Sequence, residues 1–166
     1  MFRLAIERSE GQVKIVSGGQ TGVDRAALDV ALKHGIECGG WCPAGRLDEF
    51  GRIPDQYPVQ ELDVGGFTER TLRNVKDSDG TVIIYSDKRT GGTEQTVRFC
   101  RELQRPHELI DPSMLSAQDA AELISDFVRR HKIRILNIAG PRQSEWAQGY
   151  DYAFCALEAF LTHSAG

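Results

Sequence analysis

The stretch IVSGGQTGVDRAALD at residues 15–29 sets a short β-branched run against a glycine pair, and follows it at once with a helical pattern. Val23, Ala27, Val30, Ala31 and His34 fall on one side of a helix over 22–33, and Gly35 stands where a helix end takes glycine. Strand, glycine turn and helix in that order open a βα unit. Two readings of the turn follow from its chemistry. Glycine supplies a positive φ at no steric cost, which a strand-to-helix turn can need. Bare glycine amides ahead of a helix N-terminus also suit an anion. The run Gly18-Gly19-Gln20-Thr21-Gly22 is not the dinucleotide fingerprint, because Ser17 occupies the place of its first glycine. It is not a P-loop either, since no Gly-Lys-Ser/Thr follows. Thr21 and Asp24 also fit a capping pair, with the Thr21 hydroxyl on the Asp24 amide and the carboxylate near the positive helix end.

Moving outward, five strands are predicted at 13–17, 36–41, 81–86, 107–111 and 133–139. The first, third and fifth are continuous apolar runs, as in strands covered on both faces of a parallel sheet. Helices are predicted at 22–33, 68–76, 94–104, 117–130 and 144–161, the fourth opened by the start signal of Ser116 and Asp119. Alternating strands and helices argue a doubly wound α/β sandwich with a mostly parallel sheet of five or more strands. The chain reads as a single domain over 1–166, with 1–12 as an N-terminal extension. Residues 42–66 carry three prolines and four glycines and little periodicity. A loop of that length in a compact domain is usually a lid or binding loop. Phe50 and Tyr57, with Trp41 just ahead, argue that it is ordered.

Composition narrows the function. The 166 residues carry a formal charge of −4, with no overall basic footprint for nucleic acid and no Lys/Arg block for an anionic membrane. No apolar run approaches the roughly 20 residues of a membrane helix, and the N-terminal run is too short for a signal-peptide core. Four sparse cysteines fit a reducing compartment, so a cytoplasmic location is expected. Cys38 and Cys42 are spaced like ligands, but nothing completes a zinc set, and no metal-ligating residues are assigned.

An anion would therefore be held by local geometry. In a parallel α/β sheet ligands bind beyond the carboxyl ends of the strands. Three strands deliver glycine to that edge: Gly18, Gly19 and Gly22 after the first; Gly91, Gly92 and Thr93 after the third; Gly140, Arg142 and Ser144 after the fifth. Arg25, Arg46, Arg52, Lys88, Arg89 and Arg142 lie in or beside these loops, and arginine suits bidentate phosphate binding. Trp41 and Tyr57 are available to stack on a heteroaromatic ring or to pack.

The ordered set SGGQTGVDRAALD, GWCPAGR…GRIPDQYP, NVKDSDGTVIIY, TGGTEQT and LNIAGPRQS closely resembles the molybdenum carrier proteins, a family of the Rossmann-like, lysine-decarboxylase-like SLOG superfamily. The resemblance spans nearly the whole chain from about Val13. It implies a Rossmann-like fold, a homo-oligomer (dimer or tetramer) and a bound molybdenum cofactor, a phosphorylated molybdopterin, passed on to a molybdoenzyme acceptor. Carried over by position, it implies cofactor contacts at Gly18, Gly19, Thr21, Gly22, Asp24, Arg25, Gly91, Gly92, Thr93, Asn137, Gly140, Arg142 and Ser144; Arg46 joins them from the long loop. The metal would keep its dithiolene sulfurs, so the chain need supply no metal ligand.

Two alternatives stay open. Phosphoribohydrolases that resemble this fold carry a Gly-Gly-x-Gly-Thr-x-x-Glu loop; here the glutamate position is Thr96, and Glu94 projects about 200° from it around the helix. No catalytic residue is assigned on that ground. A nucleotide-binding sensor would use the same cradles.

Overall fold

The computed structural model describes residues 11–86 and 91–163. The five-stranded sheet is parallel throughout: β1 (Lys14–Val16) pairs with β2 (Cys38–Gly39) on one side and with β9 (Ile135–Ala139) on the other. Beyond β9 come β7 (Gly80–Ile84) and the edge strand β8 (His107–Ile110), giving the order β2-β1-β9-β7-β8. Counted from β9 as the first strand, that order is 3-2-1-4-5, the Rossmann arrangement with its first strand placed last in the chain. Strand order therefore reverses between β9 and β7.

The alternation of the strands sorts the layers. Val82 and Ile84 of β7 and Leu136 and Ile138 of β9 join one core with α1 (Val23–Lys33), α4 (Ala117–Arg130) and α5 (Gly149–His163). Ile83 faces the other way, toward α2 (Phe67–Lys76) and α3 (Gly91–Glu102), whose Val75, Phe99 and Cys100 form a second cluster. The doubly wound sandwich expected from the sequence is what forms. Ser116 caps α4 by accepting from the Asp119 amide at 3.1 Å, as its spacing predicts.

Three boundaries differ, each for a local reason. The strand expected at 36–41 breaks at Gly40, where φ is +122° and a Cβ would sit 2.1 Å from the Ser17 carbonyl oxygen. Its second half, β3 (Trp41–Cys42), leaves the main sheet to pair with β6 (Gln60–Glu61). Among the described residues helix α3 runs from Gly91 rather than 94, so Gly91 and Gly92 are helical. Helix α5 begins at Gly149 rather than 144, because residues 140–148 are consumed in turns, with the Glu145 and Trp146 amides both donating to the Arg142 carbonyl.

Residues 42–66 are ordered by three short strands. A hairpin of β4 (Leu47–Asp48) and β5 (Gly51–Arg52) carries Glu49 and Phe50 at its tip, and β6 returns the chain to β3. Arg46, at φ 54°, sits inside this segment and donates to the carbonyls of Ile53, Val59, Pro54 and Tyr57. Ile53, Tyr57 and Val59 pack on Leu28 and Cys42 as a cluster of their own.

Candidate functional site

A cleft opens at the carboxyl edge of β9 and β7, where strand order reverses. Its floor is Ile83 with Asn137, Ile138 and Ala139; one wall is the α3 start at Gly92, Thr93 and Thr96; the mouth carries Gly140, Arg142 and Glu145. The other wall is the α2 face made by Phe67, Arg70, Thr71 and Asn74, which are spaced i, i+3, i+4, i+7. Asn137 is anchored in the floor by donating to the Thr81 hydroxyl on the paired strand.

Asp24 and Arg70 meet in the lining of the cleft. Arg70 Nη1 lies 3.1 Å from Asp24 Oδ2, and the same oxygen accepts from the Gln20 amide. Burial pushes the Asp24 carboxyl up to about 6, against the pull of Arg70, the Gln20 amide and Arg25. Gly18 makes room for this pair: a Cβ there would fall 1.8 Å from Arg70 Nη1. At the mouth, the guanidinium of Arg142 lies 5.9 Å from the centre of the Phe67 ring and that of Arg70 lies 5.6 Å from it. Two cations thus flank one partly exposed aromatic ring at the opening.

Of the residues assigned from sequence, Gly18, Asp24, Gly92, Thr93, Asn137, Gly140 and Arg142 line this cleft. The others stand beside it. Gly22 backs onto the 141–143 turn, where a Cβ would be 2.6 Å from the Pro141 oxygen, and the Val23 amide donates to that oxygen. Gly19, at φ +71°, packs against Ile53 and Val59 of the long segment. Gly91, one residue ahead of Gly92, is exposed and outside the lining. The capping pair expected between Thr21 and Asp24 does not form, and Gly22 caps α1 without a side chain. Instead, the Thr21 hydroxyl donates to Glu49 Oε1 and accepts from the Gln143 amide. Glu49 also accepts from the amide and hydroxyl of Ser144.

Arg25 donates to the Gly19 carbonyl and to Asp48, beneath the Tyr57 ring. Trp41 lies against Arg73 and donates to Asp77, while Tyr57 donates to Asp29; neither ring lines the cleft. Arg52 pairs with Asp55 on the surface. Lys88 and Arg89 lie outside the described residues. Sequence reasoning missed Arg70, because attention to loops passed over a polar stripe on a helix.

A family profile described as the circularly permutated YpsA SLOG family matches residues 15–161, and the chain belongs to that family. Among solved structures, it is similar to a crystal structure from Syntrophus aciditrophicus SB described as a "putative molybdenum carrier protein". The two share 47% identity over 90% of this chain and 95% of the other, with a TM-score of 0.88. No curated protein matches. Among the described residues, no helix is long and apolar enough to cross a membrane.

Proposed function

We propose that this member of the circularly permutated YpsA family is a binding and carrier protein for a phosphorylated heterocycle, the molybdenum cofactor, held in the β9–β7 cleft. The observation that carries the reading is the coincidence of the cleft with the reversal of strand order, the place where open α/β sheets bind ligands. The residues there fit such a group. Arg142 and the α3 start at Gly92 and Thr93 offer charge and amides to a phosphate. Gly140 lets the strand end pack close under the site, where a Cβ would lie 2.5 Å from the Ile84 carbonyl oxygen and 2.7 Å from Val23. When bound, the cofactor supplies its own molybdenum chemistry; this chain supplies anion contacts, ring contacts and shielding.

The cleft encloses about 120 Å³, less than the roughly 300–1,000 Å³ that engulfs a drug-sized ligand. One end of the ligand would be seated and the remainder left at the mouth, where an acceptor molybdoenzyme could reach it. The likeness to a structure described as a molybdenum carrier supports the same ligand class. The decisive experiment is extraction of freshly purified protein, oxidation, and chromatography for fluorescent pterin with metal analysis on the same sample. Near-stoichiometric pterin is expected. No pterin, no uptake of added cofactor and a strong nucleotide-induced melting shift would transfer the site to a nucleotide.

A further inference from the structure

Arginines that serve the fold spread their donors over several acceptors. Arg46 gives its guanidinium to four carbonyl oxygens, and Arg25 divides its own between the Gly19 carbonyl and Asp48. Arg70 is different. Among the described residues its one hydrogen-bond acceptor is Asp24, its Nε is buried without an acceptor, and its Nη2 has no partner. The side chain nevertheless keeps 13% exposure and lines the cleft. A guanidinium carries five N–H donors, so most of this one's capacity is unspent. Its counter-ion is equally one-sided: Asp24 Oδ2 takes both the Gln20 amide and Arg70, and Oδ1 has no partner among the described residues. Gly18 keeps the seat of the guanidinium clear.

We propose that Arg70 is the anchor for an anionic group of the ligand, and that Asp24 is a positioning residue that makes anion capture proton-linked. This rests on the reading of the cleft as an anion site, and adds to it a residue from α2, outside all three glycine loops. An ionised Asp24 competes with the incoming anion for the one guanidinium. A protonated Asp24 releases it, so anion binding at Arg70 takes up a proton at Asp24. The charged groups facing Asp24 are Arg70 from α2 and Arg25 from its own helix, with the Gln20 amide from the β1–α1 turn. Arg142 and Glu145 line the same cleft from the β9–α5 segment. Burial pushes that carboxyl up to about 6, inside the pH range of the test below.

Sulfate is the probe, because it stays a dianion across the range and leaves any pH slope to the protein. Its affinity would be measured by calorimetry at fixed ionic strength. Wild-type affinity is expected to fall about tenfold between about pH 5 and about pH 8. Asp24→Asn should flatten that slope, and Arg70→Gln should lose about tenfold or more at the lower pH. Arg70→Lys keeps the charge without the fork and should bind between the two; it also serves if Arg70→Gln fails to fold. Equal sulfate affinity in wild type and the folded Arg70 variants would overturn the anchor while leaving the cleft reading intact. A wild-type slope retained in Asp24→Asn would overturn the linkage. No sulfate, nucleotide or pterin bound by wild type would overturn the cleft reading as well.

Discussion

The Glu49 carboxylate lies 2.5 Å from the Thr21 hydroxyl, joining the tip of the β4–β5 hairpin to the first glycine turn. The amide and hydroxyl of Ser144 donate to the same carboxylate, so one side chain clasps three segments. Glu49→Ala should cost about 1–3 kcal/mol in denaturant unfolding, the usual penalty for removing a charged acceptor from several donors. An unchanged midpoint would mean that the clasp is a surface convenience.

The same clasp has an acid signature. Burial works to raise the Glu49 carboxyl, but the Ser144 and Thr21 hydroxyls and the Ser144 amide outweigh it and hold it below the usual glutamate range. A depressed folded-state value adds stability above the unfolded value, and that stability is lost as pH falls through the folded one. Wild type should therefore lose more stability than Glu49→Gln as pH drops below about 4.5. Parallel stability curves for the two proteins would contradict this.

Asp24 has the opposite sign. Its folded-state value, about 6, lies above the ordinary 3.8, so the folded chain holds a proton that the unfolded chain has released. The contribution is full below about 4 and is lost as pH rises through about 6. Asp24→Asn should remove that decline, whatever it does to absolute stability through Arg70. A decline between those values that persists in the variant would assign it to another group.

The alternation of apolar strands and helices made the layers legible, and the glycines after three strands pointed to the edge of the sheet where the cleft opens. What stayed hidden was long-range. Glycine turns look alike whether they line the cleft and seat a side chain, as Gly18 seats Arg70, or back onto another turn, as Gly22 faces Pro141. Thr21 and Asp24 satisfy a local capping pattern, yet their partners are 28 and 46 residues away at Glu49 and Arg70. The permuted strand order could not be read from β-branched runs, because pairing is set by which helices cover which face. The i, i+3, i+4, i+7 spacing of Phe67, Arg70, Thr71 and Asn74 was visible, and a polar stripe at helical spacing was the available signal for the missed wall.

Arg25, assigned to the ligand by motif position, should behave as a structural residue. It bridges the Gly19 carbonyl and a nearly buried Asp48. Arg25→Ala is expected to destabilise by about 2–4 kcal/mol, because it strands the Asp48 carboxylate. Arg25→Lys should recover only part, since an ammonium cannot span both acceptors as the fork does. Sulfate affinity, measured well below the melting temperature, should change by less than about twofold. A large affinity loss with intact stability would return Arg25 to the site.

Gly18→Ala separates the glycine's two roles. Gly18 has no positive φ, so alanine adds no backbone strain there, and the nearest atoms to the new methyl all belong to Arg70, with Nη1 at 1.8 Å and Cδ at 2.7 Å. That neighbour is the far end of a flexible side chain, which can swing aside into the cleft mouth. The expected result is a modest change in stability, about 1 kcal/mol or less, with a loss of sulfate affinity close to that of Arg70→Gln. If the turn itself were what mattered, stability and affinity would fall together. If a bare glycine amide were the anion's chief contact, Gly18→Ala would weaken binding in an Arg70→Gln background as much as in wild type. The double variant should instead match the sulfate affinity of Arg70→Gln alone, because the guanidinium that the methyl displaces is already gone.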